Sequence, residues 1–242
     1  MQIQQTEIMI PTPDGQMPAC LYTPTEPNRK PAVLLLMEAF GLTPHIQDVA
    51  ARIAKEGYIV LAPDLYYREP NNKFGYDQVE QARAMVNRLN IPSVVADIGS
   101  ALATLKSRSD VYPDKIGVMG FCLGGGLTLL AASQFSDEIA AVASFYGLYG
   151  ISPEQWNDLI TTITAPVYLF LGEVDVFIPL DLVRHVESRF QELDKDYTLK
   201  VYPNANHGFF CHERSDYNAT AAEDSWQELT TFFEQHLQSV SV

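Results

Sequence analysis

"KIGVMGFCLGGG", Lys115 to Gly126, runs an apolar segment straight into a cluster of glycines that encloses one cysteine. "KIGVM" reads as a strand, and the apolar stretch that opens at Leu123 reads as a helix. Between them, Gly120-Phe121-Cys122-Leu123-Gly124 has the G-x-nucleophile-x-G spacing, with cysteine where serine is commoner. A side chain held at a sharp strand-to-helix turn takes a strained backbone, and side chains two residues before and after it would collide with neighbouring elements. Gly125 and Gly126 further let the helix press on the sheet. The same turn would set the sulfur at a helix N-terminus, where the dipole favours thiolate over thiol. Taken alone, the stretch leaves two readings open: Cys122 as an exposed nucleophile, or as a small apolar residue in a close-packed junction.

Outward from this junction, strand-like and helix-like runs alternate, the pattern of a mostly parallel sheet with helices on both faces. The segments around Ile3–Ile10 and Met17–Tyr22 flank "PTPDG", so they read as an antiparallel hairpin at a sheet edge. "AVLLLM" (Ala32–Met37) is a continuous apolar run, as expected of a strand covered on both sides. A helix follows in "IQDVAARIAKEGY", then the strand Tyr58–Pro63, and then a polar excursion, "DLYYREPNNKFGYD". That excursion is either the lining of a site or a surface loop. The helices "QVEQARAMVNRL" and "SVVADIGSALATLKSR" come next, the second with Ser93 as its expected N-cap. Beyond Cys122 lie the strand "AAVASFYG", a loop carrying Trp156, the strand "PVYLFLG", the helix "LDLVRHVESRFQEL", the strand "TLKVYPN" and a closing helix. No repeat or linker-like shift appears, and residues 1–242 are read as one α/β domain.

Composition narrows the function. Of 242 residues, 47% are hydrophobic, enough for one substantial core. With 16 basic and 30 acidic residues the formal net charge is −14, a field that repels phosphate backbones and anionic lipid, so neither nucleic acid nor membrane is an expected partner. The N-terminus lacks the basic and apolar regions of a secretory leader, and cytoplasmic localisation is the expectation. Three cysteines without a CxxC pair suit neither a disulfide framework nor a zinc site, so at least one thiol should be free.

An activated cysteine needs a base, and the base needs an acceptor that holds its tautomer. The strand "PVYLFLG" runs into "EVDVFIP", which offers Glu173 or Asp175, with Asp175 preferred as the deeper in its loop. The strand "TLKVYPN" runs into "ANHGFF", which offers His207 before a permissive Gly208. His212 competes but sits among charges in "CHERSD", and His45, His185 and His236 fall in or beside helical patterns. Nucleophile, acid and histidine would all lie at the C-terminal edge of a parallel sheet, where ligands gather.

"LLLMEAFGL", "APDLYYR", "IGVMGFCLGGG", "LGEVDVFIP" and "YPNANHGFFCHERSDYNATAAEDSWQELTTFF", in this order, resemble the dienelactone hydrolase family of the α/β-hydrolase superfamily, and the resemblance spans nearly the whole chain. It implies an α/β-hydrolase fold and a Cys122–His207–Asp175 triad. It also implies that Glu38 is the glutamate that contacts the cysteine and governs its ionisation, and that the amides of Leu123 and Ala39 form the oxyanion hole. The implied substrate is a small-molecule ester or lactone, cleaved through a thioester with no metal or organic cofactor; a monomer or weak oligomer is the expectation, which the sequence itself does not fix. The family's dienelactone-cleaving members grip a substrate carboxylate with two arginines, and Val79 and Cys211 stand roughly at those positions here. Arg83 and Arg214 lie nearby as possible substitutes, so the dienelactone specificity itself is in question. Phe40, Tyr146, Trp156 and Phe209 are candidates for an apolar pocket wall. A different class, a noncatalytic ligand-binding or thiol-redox protein on the same fold, is disfavoured because redox sensing needs no base and acid.

Overall fold

The computed structural model describes residues 1–148 and 153–238. Strands β1 (Ile3–Thr12) and β2 (Gly15–Pro24) form an antiparallel hairpin in register from Ile3↔Pro24 to Thr12↔Gly15. The six later strands are β3 (Lys30–Leu36), β4 (Ile59–Pro63), β5 (Val111–Phe121), β6 (Ala141–Phe145), β7 (Val167–Gly172) and β8 (Tyr197–Tyr202). The sheet order is β1-β2-β4-β3-β5-β6-β7-β8, with β2 antiparallel to β4 and every later pairing parallel. β4 and β6 are buried at every position, as a strand covered on both faces requires.

The helices are α1 (Pro44–Lys55), α2 (Val79–Val86), α3 (Ile91–Ser107), α4 (Leu123–Gln134), α5 (Pro153–Thr162), α6 (Leu180–Glu192) and α7 (Ala219–Phe233), with a π-helical turn at Glu234–Gln238. Two local expectations are corrected. α3 starts earlier than expected: Asn90, not Ser93, is its N-cap, because Pro92 needs no amide partner within the first turn and the Asn90 side chain accepts the Ser93 N–H at 3.0 Å. Trp156 lies in helix α5 rather than in a loop. Among the described residues no helix is long and apolar enough to cross a membrane.

The topology places the chemistry. β5 lies between β3 and β6, and β7 and β8 follow on one side, so the segments leaving β3, β5, β7 and β8 all emerge at the C-terminal edge of the parallel sheet. Those segments carry Glu38, Cys122, Asp175 and His207.

Candidate active site

Cys122 sits between β5 and α4 with φ +54° and ψ −116°, a left-handed conformation that a side chain rarely adopts. Its amide donates to the Phe145 carbonyl at 3.0 Å, which pins the turn to the neighbouring strand. The glycines around it answer to close backbone packing. A Cβ on Gly120 would stand 2.5 Å from the Gly124 carbonyl carbon, and one on Gly124 would stand 2.3 Å from the Leu36 oxygen. Helix α4 therefore starts in contact with the end of β3, and the half-buried sulfur faces a cavity at that junction.

His207 and Asp175 meet from the two adjoining loops: His207 Nδ1 lies 2.9 Å from Asp175 Oδ2, both side chains buried. The other carboxylate oxygen of Asp175 accepts the amides of Phe177 (2.8 Å) and Ile178 (3.1 Å), which fixes its plane. Asn206 joins the loops, its Oδ1 accepting the amides of His207 (2.7 Å) and Val176 (3.1 Å). The imidazole packs between Tyr146 and Phe177, each ring centroid 5.0 Å away.

The sulfur and the imidazole both line the cavity, and their charges shape one another's ionisation. Burial alone would push the Cys122 thiol up, but the charge of the neighbouring His207 outweighs burial and holds it below its ordinary value. Burial would push His207 down, but the Cys122 charge and the Asp175 hydrogen bond outweigh it and hold the imidazole up at about 9. The pair thus favours thiolate and imidazolium together. The Leu123 amide adds a hydrogen bond to the sulfur.

Glu38 is buried beside this pair, and burial raises its carboxyl above the usual range. Hydrogen bonds from Tyr76 and Thr43 and the charge of Arg214 oppose that rise. Both hydroxyls meet one oxygen: Thr43 Oγ1 at 2.9 Å and Tyr76 at 2.5 Å from Oε1. Toward Cys122, Glu38 acts through its charge, which raises the thiol. The Glu38 carbonyl accepts the Gly41 amide at 3.0 Å. Because the peptide is planar and trans, the Ala39 N–H then points the opposite way, with no backbone carbonyl of the described residues bonded to it.

A cavity of about 620 Å³ opens here, and Cys122, His207, Ala39, Leu123, Phe40 and Arg214 all contribute to its wall. Arg214 is mostly buried, lies over the rings of Phe40 (5.7 Å) and Tyr76 (5.9 Å), and has its nearest carboxylate, Asp216, at 3.7 Å. Arg83 also reaches the cavity but from its exposed rim, 3.9 Å from Glu80. Val79 stands at the same rim, whereas Cys211 is fully buried against Tyr76 and takes no part in the wall.

Three of the four aromatic expectations are corrected. Tyr146, Trp156 and Phe209 are core residues outside the cavity wall: Tyr146 and Phe209 pack on each other at 5.3 Å, and Trp156 is buried within α5. Of the four, Phe40 is the one in the cavity wall. Thr43, Tyr76 and Asn206 were missed as site residues. Only Thr43 had a signal, its place before Pro44 at a helix start, where it caps α1 through the Ile46 amide. The polar excursion packs behind the site without entering the cavity wall: Phe74 N donates to Phe40 O at 3.0 Å, and Tyr76 reaches Glu38. All three cysteines are free.

Comparison with known proteins fits this geometry. The sequence profile of the dienelactone hydrolase family matches residues 17–237. A Synechocystis protein named "Putative carboxymethylenebutenolidase" is 33% identical over 98% of this chain and 99% of its own length. A Bradyrhizobium protein named "Probable 2-oxo-3-(5-oxofuran-2-ylidene)propanoate lactonase" is 30% identical over 90% of this chain and 89% of its own. The crystal structure of a Klebsiella pneumoniae "Putative Dienelactone Hydrolase" superposes with a TM-score of 0.88 at 28% identity, covering 97% of this chain and all of that one.

Proposed function

Since this chain belongs to the dienelactone hydrolase family and has the α/β-hydrolase fold, we propose that it cleaves a carboxylic ester or lactone through Cys122, His207 and Asp175. The observation that carries this reading is the meeting of three distant segments at one cavity, whose wall includes both Cys122 and His207, with the His207 imidazole held by Asp175 at 2.9 Å.

The thiolate of Cys122 attacks the carbonyl carbon, a C–S bond forms, and the carbonyl oxygen becomes an oxyanion held by the Leu123 and Ala39 amides. Collapse breaks the C–O bond, and the departing alkoxide or enolate takes the proton of the His207 imidazolium. His207, now neutral and oriented by Asp175, removes a proton from water as it attacks the thioester. The acid leaves and the thiolate and imidazolium are restored. Glu38 accepts the thiol proton whenever the sulfur is neutral, a role suited to a buried carboxyl with a raised pKa. Arg214, a mostly buried cation in the cavity wall whose salt bridge to Asp216 is long at 3.7 Å, recognises a substrate carboxylate, and Arg83 at the rim contributes less.

The test is hydrolysis of p-nitrophenyl acetate and of unsaturated lactones with and without a carboxylate. Cys122→Ala and His207→Ala each lose at least ~10³-fold in kcat/KM. Arg214→Gln loses roughly tenfold or more on the carboxylate-bearing lactones only. Hydrolysis indifferent to both Cys122→Ala and His207→Ala overturns the proposal.

A further inference from the structure

The cavity holds far more than a lactone ring, and beyond His207 and Arg214 near the sulfur the face that α4 turns toward it is apolar. On α4, Leu123, Gly126, Leu127 and Leu130 all reach it, at spacings of three and four residues that put them on one helix face. This stripe begins one residue after Cys122 and runs two turns, about 10 Å at the α-helical rise. Val86 of α2 and Leu159 of α5 also line the space. The polar groups on the α2 and α5 sides, among them Arg83, Asn87 and Asp158, are exposed and therefore belong to the mouth.

A bore of this kind selects by desolvation. A polar group drawn along the leucines gives up water and finds no partner, whereas an alkyl or aryl group gains the full hydrophobic term. The volume of about 620 Å³ lies among cavities that enclose a ligand of many heavy atoms, roughly 300–1,000 Å³. We propose that the substrate carries, next to its scissile carbonyl, an apolar group of roughly six to eight carbons' length, seated along the α4 stripe. This rests on the catalytic reading above and adds to it the substrate class.

Two ester series test it, one lengthening the acyl chain from acetate to dodecanoate on p-nitrophenol, the other lengthening the alcohol of simple acetates. The expected result is a kcat/KM that climbs roughly two- to fourfold per methylene in one series and levels near eight carbons. Leu130→Trp and Leu159→Trp, both at half-buried positions, place an indole in the bore and lower the octanoate-to-acetate ratio at least tenfold. Two variants guard against one failing to fold. A rate flat or falling with length in both series, with acetate hydrolysis still dependent on Cys122, overturns the proposal and leaves the catalytic reading standing. If acetate hydrolysis survives Cys122→Ala, the catalytic reading fails instead. The bore is then judged by calorimetric binding of alkyl methyl ketones to Cys122→Ala protein: affinity that tightens with chain length and is lost in Leu130→Trp supports it, and affinity independent of length refutes it.

Discussion

The hydroxyl of Tyr76 stands 2.5 Å from Oε1 of Glu38, which brings a residue of the polar excursion onto a buried carboxylate whose charge acts on the Cys122 sulfur. The hydroxyl donates, so it stabilises the charged carboxylate against the burial that favours its neutral form.

Replacing Tyr76 by Phe removes that donor and lets the Glu38 carboxyl rise further. A hydrogen bond to a charged group is worth about 1.5–3 kcal/mol, so the acid limb of the kcat/KM profile moves to higher pH by about one to two units. Thr43→Val moves it the same way and Thr43→Ser restores it. A profile unmoved in Tyr76→Phe would show that the ionisation of Glu38 does not govern the reaction.

Alkylation of Cys122 by iodoacetamide reads the thiolate directly. In the wild type the thiol lies below its ordinary value, and the imidazolium that holds it there persists up to about pH 9. The alkylation rate therefore stays high as pH falls from 9 toward neutrality. In His207→Ala, burial and the charge of Glu38 remain and both raise the thiol, so the rate at neutral pH drops at least ~10-fold. An equal rate in the two proteins at neutral pH would contradict the pairing.

Gly124→Ala puts a methyl 2.3 Å from the Leu36 oxygen and 2.6 Å from the Met37 oxygen, both backbone atoms that cannot rotate away. The start of α4 must shift from the end of β3, at a cost of about 3 kcal/mol, or roughly 10 °C in Tm for a chain of this size. Gly126→Ala, whose nearest atom would be the Gly147 oxygen at 3.0 Å, costs less. Chemical denaturation of both variants checks the order, and a Gly124→Ala as stable as the wild type would refute it.

Much of this was legible before any coordinates. β3 and β4 announce themselves because a strand covered on both faces has no polar side, and the glycines near Cys122 because backbone contact excludes a Cβ. Asp175 and His207 were readable as residues just past strand ends. Tyr76 was not, because its meeting with Glu38 depends on the path of an irregular loop. Nor does an aromatic at a strand end reveal its direction, so Tyr146 and Phe209 read as pocket wall when they are core. The stripe on α4 was hidden because that helix is apolar on nearly every face, and the part that lines the cavity looks like the part that packs.

The lowered pKa of Cys122 is borrowed from a histidine that the chain supplies only beyond β8, long after the cysteine itself has been made. A growing polypeptide, or a native one whose final third has opened, carries an ordinary protonated thiol at that position, slow toward electrophiles and oxidants at neutral pH. Chemical potency at this sulfur is thus a property of the finished architecture, and loss of the last strand's loop disarms it rather than exposing it.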